Sequence, residues 1–394
     1  MARLVRLVIV LAIGAVAGWP VAPRVIGPAA SRDGRISPAV VKSWGHLTLL
    51  RLRGTPYEMG YQHGAAQREV IRRWVSQEVY GRRILGQGQS CGVLLAQARQ
   101  MADGLPLEIR RELRGIADGA GVSYEDVLLL NLVLNRLLSQ PLTPSSAPLA
   151  SPALDLQALA FAAWPPATRP EDALDNTLLG YRLESPGQAD RLRRHLLAIV
   201  YQPAEGQAYA TLTWSGQAGA WCGLNQAGLA ICTTPAKGGE AGDRELVPAV
   251  LTRHLLSRAT DSEQALRLAV QHDYVAAFQL LIADGPRRSA MSVAFGNHRY
   301  EVSPAAGSQP GLLVLGQDSL QAASLLNRNA GWLDRDKALA VLAARQPLDE
   351  GSPGLCGEAM LFNVLFVPGR GELWVGAGLW PASCRRYLCL GLAD

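Results

Sequence analysis

The chain of 394 residues lacks the signatures by which most common enzyme classes announce themselves. There is no G-x-S-x-G elbow for a strained nucleophilic serine, no G-x-x-x-x-G-K-[ST] loop to cradle phosphates, and no H-E-x-x-H pair to hold zinc. C-x-x-C is absent as well. The histidines (His46, His63, His195, His254, His272, His298) fall at ligand spacing neither with one another nor with a cysteine, which excludes the usual zinc patterns. Paired carboxylates such as Asp172 and Asp175 stand in a Pro-rich connection and read as surface groups. The cations are almost all arginine and lie scattered among acids, with no basic run interleaved with aromatics. A net charge of +5 and a pI near 9.0 therefore describe a solvated surface and not a nucleic-acid partner. No cofactor is implied.

What is present is ordinary globular composition, 48% hydrophobic and 18% charged, enough for one large domain or two. Arg3 and Arg6 precede an apolar run over residues 7–19 that holds Ala15, Val16 and Ala17 in A-x-A order. That is the shape of a secretory signal, and the run is shorter than the ~20 residues that span a bilayer comfortably, so cleavage is favoured over a lasting anchor. Residues 1–19 are thus expected to engage the membrane or the secretion machinery, leaving the folded part periplasmic or extracellular. In such a compartment disulfides persist. Cys222 and Cys232 flank one turn and suit a cross-strand disulfide or a pair of buried thiols, while Cys356, Cys384 and Cys389 read as packing or disulfide residues and Cys91 stands apart.

Residues 20–45 form a loose leader rich in Pro, Gly and Ser, followed by a strand over 46–53. Thr55, Pro56 and Glu58 then start a helix with a capping box, and Gly60 and Gly64 place two positions without side chains on one face, where another element can approach closely. A second helix from Leu105 carries the stripe Ile109, Leu113, Ile116 and ends at Gly119-Ala120-Gly121. Ser123 with Asp126 caps a third, whose buried face is Val127, Leu130, Leu134 and Leu137. Residues 46–138 are thus mostly helical, and 139–157 break all periodicity as a linker. Beyond it, strand patterns recur at 158–163, 178–183, 196–201, 208–214, 221 with 229–233, 278–283, 289–295, 361–367, 372–376 and 387–392. Two helices interrupt them, near 248–258 and after Asp261. Strands in pairs with helices inserted as blocks argue for an α+β fold of antiparallel sheet covered by helices.

Three segments in order carry a resemblance. They are Arg53-Gly54-Thr55-Pro56-Tyr57-Glu58-Met59-Gly60-Tyr61-Gln62-His63-Gly64, then Glu112-Leu113-Arg114-Gly115-Ile116-Ala117-Asp118-Gly119-Ala120-Gly121 running on to Asn131, and then Gly223-Leu224-Asn225-Gln226-Ala227-Gly228-Leu229. Together they resemble the isopenicillin N acyltransferase family of N-terminal nucleophile hydrolases. The resemblance implies a four-layer αββα sandwich of two mainly antiparallel sheets between helix layers. In that family the chain cuts itself ahead of a cysteine that opens an inner strand, making residues 46–138 propeptide-like and 158–394 the hydrolase-like part. The cysteine thiolate attacks an amide or ester carbonyl, its freed amino group serves as base, and an asparagine with backbone N–H groups holds the oxyanion.

Where the family's strand reads Cys, Thr, any, Phe, Ala, Ala, Trp, this chain has Ala158-Leu159-Ala160-Phe161-Ala162-Ala163-Trp164. The resemblance thus sets Ala158 under the nucleophile. The family's Gly-Arg-Asn-any-Asp strand is met by Gly180-Tyr181-Arg182-Leu183-Glu184, with Glu184 as a stand-in for the acid and Arg182 beside it. Asn225 has two readings, an oxyanion donor or a hairpin residue chosen for its tolerance of left-handed geometry. Two functions are expected from this: a degenerate, non-catalytic relative that keeps a pocket for a small amide, ester or acyl compound, or an active amidohydrolase or acyltransferase working through another N-terminal nucleophile.

Overall fold

A computed structural model describes residues 36–44, 47–139, 156–169, 176–235, 247–272, 274, 277–304, 310–344, 357–378 and 386–392. The expectations for residues 1–19, the linker, Asp172, Asp175, Cys356 and Cys384 lie outside these residues. The account below concerns the unit formed by residues 38–394.

The expected leader contains a strand. β1 (Val40–Trp44) pairs antiparallel with β2 (Leu47–Gly54), with Val40 opposite Arg51. Val40 and Val41 are exposed, so β1 is an edge strand whose β-branched residues satisfy the ladder without a core to bury. The helical segment follows as α1 (Pro56–Ala66), α2 (Arg68–Trp74), a π-helical stretch (Val75–Gly86), α3 (Cys91–Asp103), α4 (Leu107–Ala120) and α5 (Tyr124–Ser139). Both expected capping boxes form: the Glu58 carboxylate accepts from the Thr55 amide at 2.8 Å, and the Ser123 hydroxyl accepts from the Asp126 amide at 3.0 Å.

The glycines of α1 find the close approach that their spacing anticipates. A Cβ on Gly60 would collide with the Glu112 carbonyl oxygen, and one on Gly64 with that of Ile116. Gly115 and Gly119 answer from α4, where a Cβ would meet the carbonyl oxygens of Tyr57 and Tyr61. The two helices touch backbone to backbone along this seam.

The remaining elements are β3 (Gln157–Ala163), β4 (Leu178–Glu184), α6 (Ala189–Arg193), β5 (Leu196–Pro203), β6 (Tyr209–Trp214), β7 (Cys222–Asn225), β8 (Leu229–Pro235), α7 (Pro248–Arg258), α8 (Ser262–Ala269), β9 (Phe278–Asp284), β10 (Ser289–Gly296), β11 (Arg299–Pro304), β12 (Leu312–Gly316), α9 (Ser319–Asn327), α10 (Arg335–Leu342), β13 (Met360–Val367), β14 (Glu372–Ala377) and β15 (Leu388–Gly391). They build a nine-stranded sheet in the order β1-β2-β5-β6-β7-β8-β9-β10-β11 and a six-stranded sheet in the order β12-β3-β4-β13-β14-β15. Every pairing is antiparallel except β2 with β5, which sets Leu50 beside Ile199. The sheets stack through β3, β4 and β12 against β8. α1, α7 and α8 cover the nine-stranded sheet, and α9 and α10 cover the other. The layers are thus helix, sheet, sheet, helix, as the resemblance implied. Among the described residues, no helix is long and apolar enough to cross a membrane.

Candidate functional site

Side chains alternate across a strand, so β3 serves two layers at once. Ala158, Ala160 and Ala162 join the apolar core between the sheets, whereas Leu159, Phe161 and Ala163 join the one beneath α9 and α10. Ala158 is buried, opposite Leu183 of β4. Its carbonyl accepts from the Gln317 amide at 2.7 Å. Gly316, at φ 89°, lets β12 draw this close, since a Cβ there would collide with the Ala158 oxygen. On the same inter-sheet face the Tyr181 hydroxyl donates to the Thr233 carbonyl at 2.9 Å, fastening the two sheets together. Cys222 and Cys232 stand directly opposite each other across β7 and β8 as buried free thiols. Burial pushes both thiols and the Tyr181 hydroxyl well above their ordinary values, so this face holds no ready anion at neutral pH.

Arg182 and Glu184 sit in register with Leu159 and Gln157, on the other face of the six-stranded sheet. Arg182 is fully buried and bonds Asp318 Oδ2 at 2.8 Å, with Glu184 Oε1 at 3.3 Å from its Nε. Asp318 precedes α9 in a left-handed conformation, φ 58°. Burial raises the Glu184 carboxyl, opposed by the charge of Arg182. Asp318 was not anticipated. It lies 136 residues from Arg182 in sequence, and only its place before a helix marks it out.

Asn225 closes β7 on the face turned to α7. Its amide group donates to the carbonyls of Leu256 at 3.0 Å and Ala259 at 2.7 Å, and its oxygen accepts from the amides of Ala227 and Leu229, each at 3.1 Å. Both donors are therefore taken. The residue ties the Gly228 turn to the end of α7 through these side-chain bonds, and its backbone does not adopt the left-handed geometry that the hairpin reading invoked.

The four anticipated positions thus occupy three different surfaces: Ala158 between the sheets, Arg182 and Glu184 beneath α9, and Asn225 beneath α7. Register, which decides the face of every strand residue, is what the motif strings do not reveal.

A second polar constellation, not anticipated from sequence, lies between α4, α7 and the nine-stranded sheet. Arg253 pairs with Glu112, donates to the Tyr209 hydroxyl at 2.8 Å and lies 4.6 Å over the Tyr201 ring. Tyr201 and Tyr209 stack at 4.7 Å. Burial pushes the Tyr209 hydroxyl up to about 12. Nearby, His63 Nε2 accepts from the Gly216 amide at 3.1 Å, and burial drives its pKa down to about 3. These groups bind helices to sheet, with His63 Nδ1 and one terminal nitrogen of Arg253, Nη1, left buried without a hydrogen-bond partner. No group of three or more His, Cys, Asp or Glu residues placed to hold a metal ion occurs among the described residues.

Comparison with known proteins bears on the same part of the chain. Residues 192–307 match the family described as acyl-coenzyme A:6-aminopenicillanic acid acyl-transferase, a stretch that includes the Asn225 hairpin and begins after β3. An uncharacterized protein of Archaeoglobus fulgidus is 28% identical over 222 residues, which is 53% of this chain and 34% of that protein. The match thus spans about a third of that relative's length. Among solved structures, the Caenorhabditis elegans ortholog of N-acylethanolamine-hydrolyzing acid amidase aligns over 59% of this chain and 99% of its own, at 13% identity and a TM-score of 0.42. Penicillin V acylase of Agrobacterium tumefaciens aligns over 61% and 79%, at 10% identity and a TM-score of 0.33. These two likenesses are too distant to bear on function. By its matched segment, the chain resembles the acyl-coenzyme A:6-aminopenicillanic acid acyl-transferase family, whose expected two-sheet, helix-covered architecture it has.

Proposed function

We propose that this protein is an exported, non-catalytic relative of that acyltransferase and amidohydrolase family, keeping the fold as a module that binds a small amide, ester or acyl compound. The observation that carries the reading is the inner face of β3. Ala158, Ala160 and Ala162 point between the sheets, and no residue of Gln157–Ala163 bears a thiol or a hydroxyl. A methyl group has no lone pair with which to attack a carbonyl, and losing a nucleophile in a comparable hydrolase costs on the order of a millionfold in turnover. The use of both Asn225 donors by backbone carbonyls supports the same reading, since they are not free for an oxyanion.

The competing reading is an active amidohydrolase with a different N-terminal nucleophile, and self-cleavage separates the two. The mature protein, purified from its native host, is expected to give one mass by intact-mass spectrometry, with no break between residues 139 and 157. Two chains in stoichiometric amounts, the second beginning with Ser, Thr or Cys, would overturn the proposal.

A further inference from the structure

Helices α1, α3, α4 and α5 enclose an open pocket of about 420 Å³ whose lining carries four arginines against a single aspartate, Asp103. Arg110, Arg111 and Arg114 come from α4 and Arg99 from α3. Of the four, Arg99 pairs with Glu125 at 3.5 Å, as elsewhere in the helical part Arg72 pairs with Glu69 and Arg82 with Glu78. Among the described residues, no carboxylate lies within ion-pair distance of Arg110, Arg111 or Arg114. Asp118, one turn beyond Arg114, instead accepts from the Tyr57 hydroxyl at its Oδ2, 2.7 Å away.

Like charges three and four residues apart on a helix repel, and here the local acids do not relieve them. The guanidinium carbon of Arg114 lies over the Tyr124 ring, 4.4 Å from its centroid. A guanidinium presents its N–H donors as a planar fork, the geometry that grips a phosphate by two bonds at once. Between the arginines the floor is apolar, with Leu128 and Ala102 buried beneath and the Tyr57 and Tyr124 rings beside it. Positive charge over an apolar and aromatic floor suits a ligand with a dianionic head and an unsaturated or aromatic body.

We propose that this pocket binds a small organic phosphate, the phosphate held by Arg110, Arg111 and Arg114 and the organic part set against Leu128 and the tyrosine rings. It lies in the helical layer, and it stands or falls independently of whether β3 supports catalysis.

Phenyl phosphate titrated into the full chain by isothermal calorimetry is the test. Saturable binding at one site is expected, stronger than for inorganic phosphate, and weakened about tenfold for each of Arg110→Gln, Arg111→Gln and Arg114→Gln if each loses one charge-assisted contact. Arg267→Gln, an exposed arginine of α8, is expected to leave affinity unchanged. The three substituted arginines are exposed, so unliganded melting curves of the variants are expected to stay at the parent temperature or to rise slightly as repulsion is relieved. Absence of saturable binding, or equal weakening by Arg267→Gln, would overturn the proposal. A vesicle arm decides the source of the phosphate. Arginine-dependent capture by phosphatidylcholine vesicles containing phosphatidic acid, without binding of phenyl phosphate, would also overturn it, because the site would then read a lipid surface.

Discussion

Replacing Gly115 by alanine sets two effects of opposite sign against each other. Alanine is the better helix former by about 1 kcal/mol, so α4 taken alone would gain from Gly115→Ala. In the folded protein the new methyl carbon would overlap the Tyr57 carbonyl oxygen of α1, and the Tyr61 amide and Gly60 carbonyl carbon lie within 3.0 Å of it. All three obstructing atoms are backbone, so none can turn aside as a flexible side chain would. The helices must separate, and a gap of about 0.5–1 Å already forfeits a quarter to a half of each dispersion contact along the seam. Overpacking of ordinary cores costs roughly 1–3 kcal/mol, and with Gly60, Gly64 and Gly119 on the same seam the net loss is set at about 2–4 kcal/mol. At roughly 2 °C per kcal/mol for a chain of this size, the midpoint of thermal unfolding falls by about 4–8 °C. Gly92→Ala in α3 is the matched control, because the nearest non-neighbouring atom to its Cβ is Ser90 Oγ at 3.8 Å. That variant is expected to melt at the parent temperature or slightly above it. Circular dichroism melts of the two variants side by side decide the matter, and Gly115→Ala melting at or above the parent would refute the backbone-to-backbone contact.

Glu112→Gln strands the buried Arg253 guanidinium and is expected to destabilise by about 3–5 kcal/mol in denaturant titration, whereas the double change Glu112→Leu with Arg253→Met recovers most of the loss. His63 has its pKa lowered from 6.5 to about 3 by burial, so between those values the unfolded chain binds a proton that the native one refuses. Stability is therefore full above pH 6.5 and falls as pH drops through that window, by up to ~1.4 kcal/mol per pH unit for this group, and His63→Gln should flatten the profile between pH 6.5 and 5. Cys222 and Cys232 are buried thiols with raised pKa values. An aromatic disulfide reagent at pH 8 is expected to label the exposed Cys91 and Cys389 promptly, the latter being neither buried nor in a disulfide, and the Cys222 and Cys232 pair only upon unfolding.

Local signals proved the most legible in the sequence. Thr55 with Glu58 and Ser123 with Asp126 name their helix starts because a cap needs only neighbours three residues apart. Apolar runs located β3 through β10 to within a few residues, since β3 to β9 are buried on both faces along most of their length. The strands missed are those with a weak face or a short run, and α2, the π-helical stretch, α3 and α6 had no expectation of their own. β1 is an edge with exposed valines, β11 carries Arg299 and Glu301 on an outer rim, and β12 is five residues long. α9 and α10 went unread although Asp318 and Asp334 stand at their starts, because neither is followed by a long apolar stripe. The site was the least legible part. The string Gly180-Tyr181-Arg182-Leu183-Glu184 names residues but not faces, and only pairing with β3 and β13 reveals that Arg182 turns away from Ala158 toward Asp318. The Glu112 and Arg253 contact spans 141 residues and has no local signature at all.

The parallel pairing of β2 with β5 weaves the stretch before residue 139 into the same sheet as the stretch after 157. A scission anywhere between those points would not shed a fragment. Both pieces would travel as a single particle through gel filtration and part only in detergent, while either piece made alone would display a raw ladder edge, β2 lacking its neighbour on one side and β5 on the other, with every incentive to pair with the wrong chain.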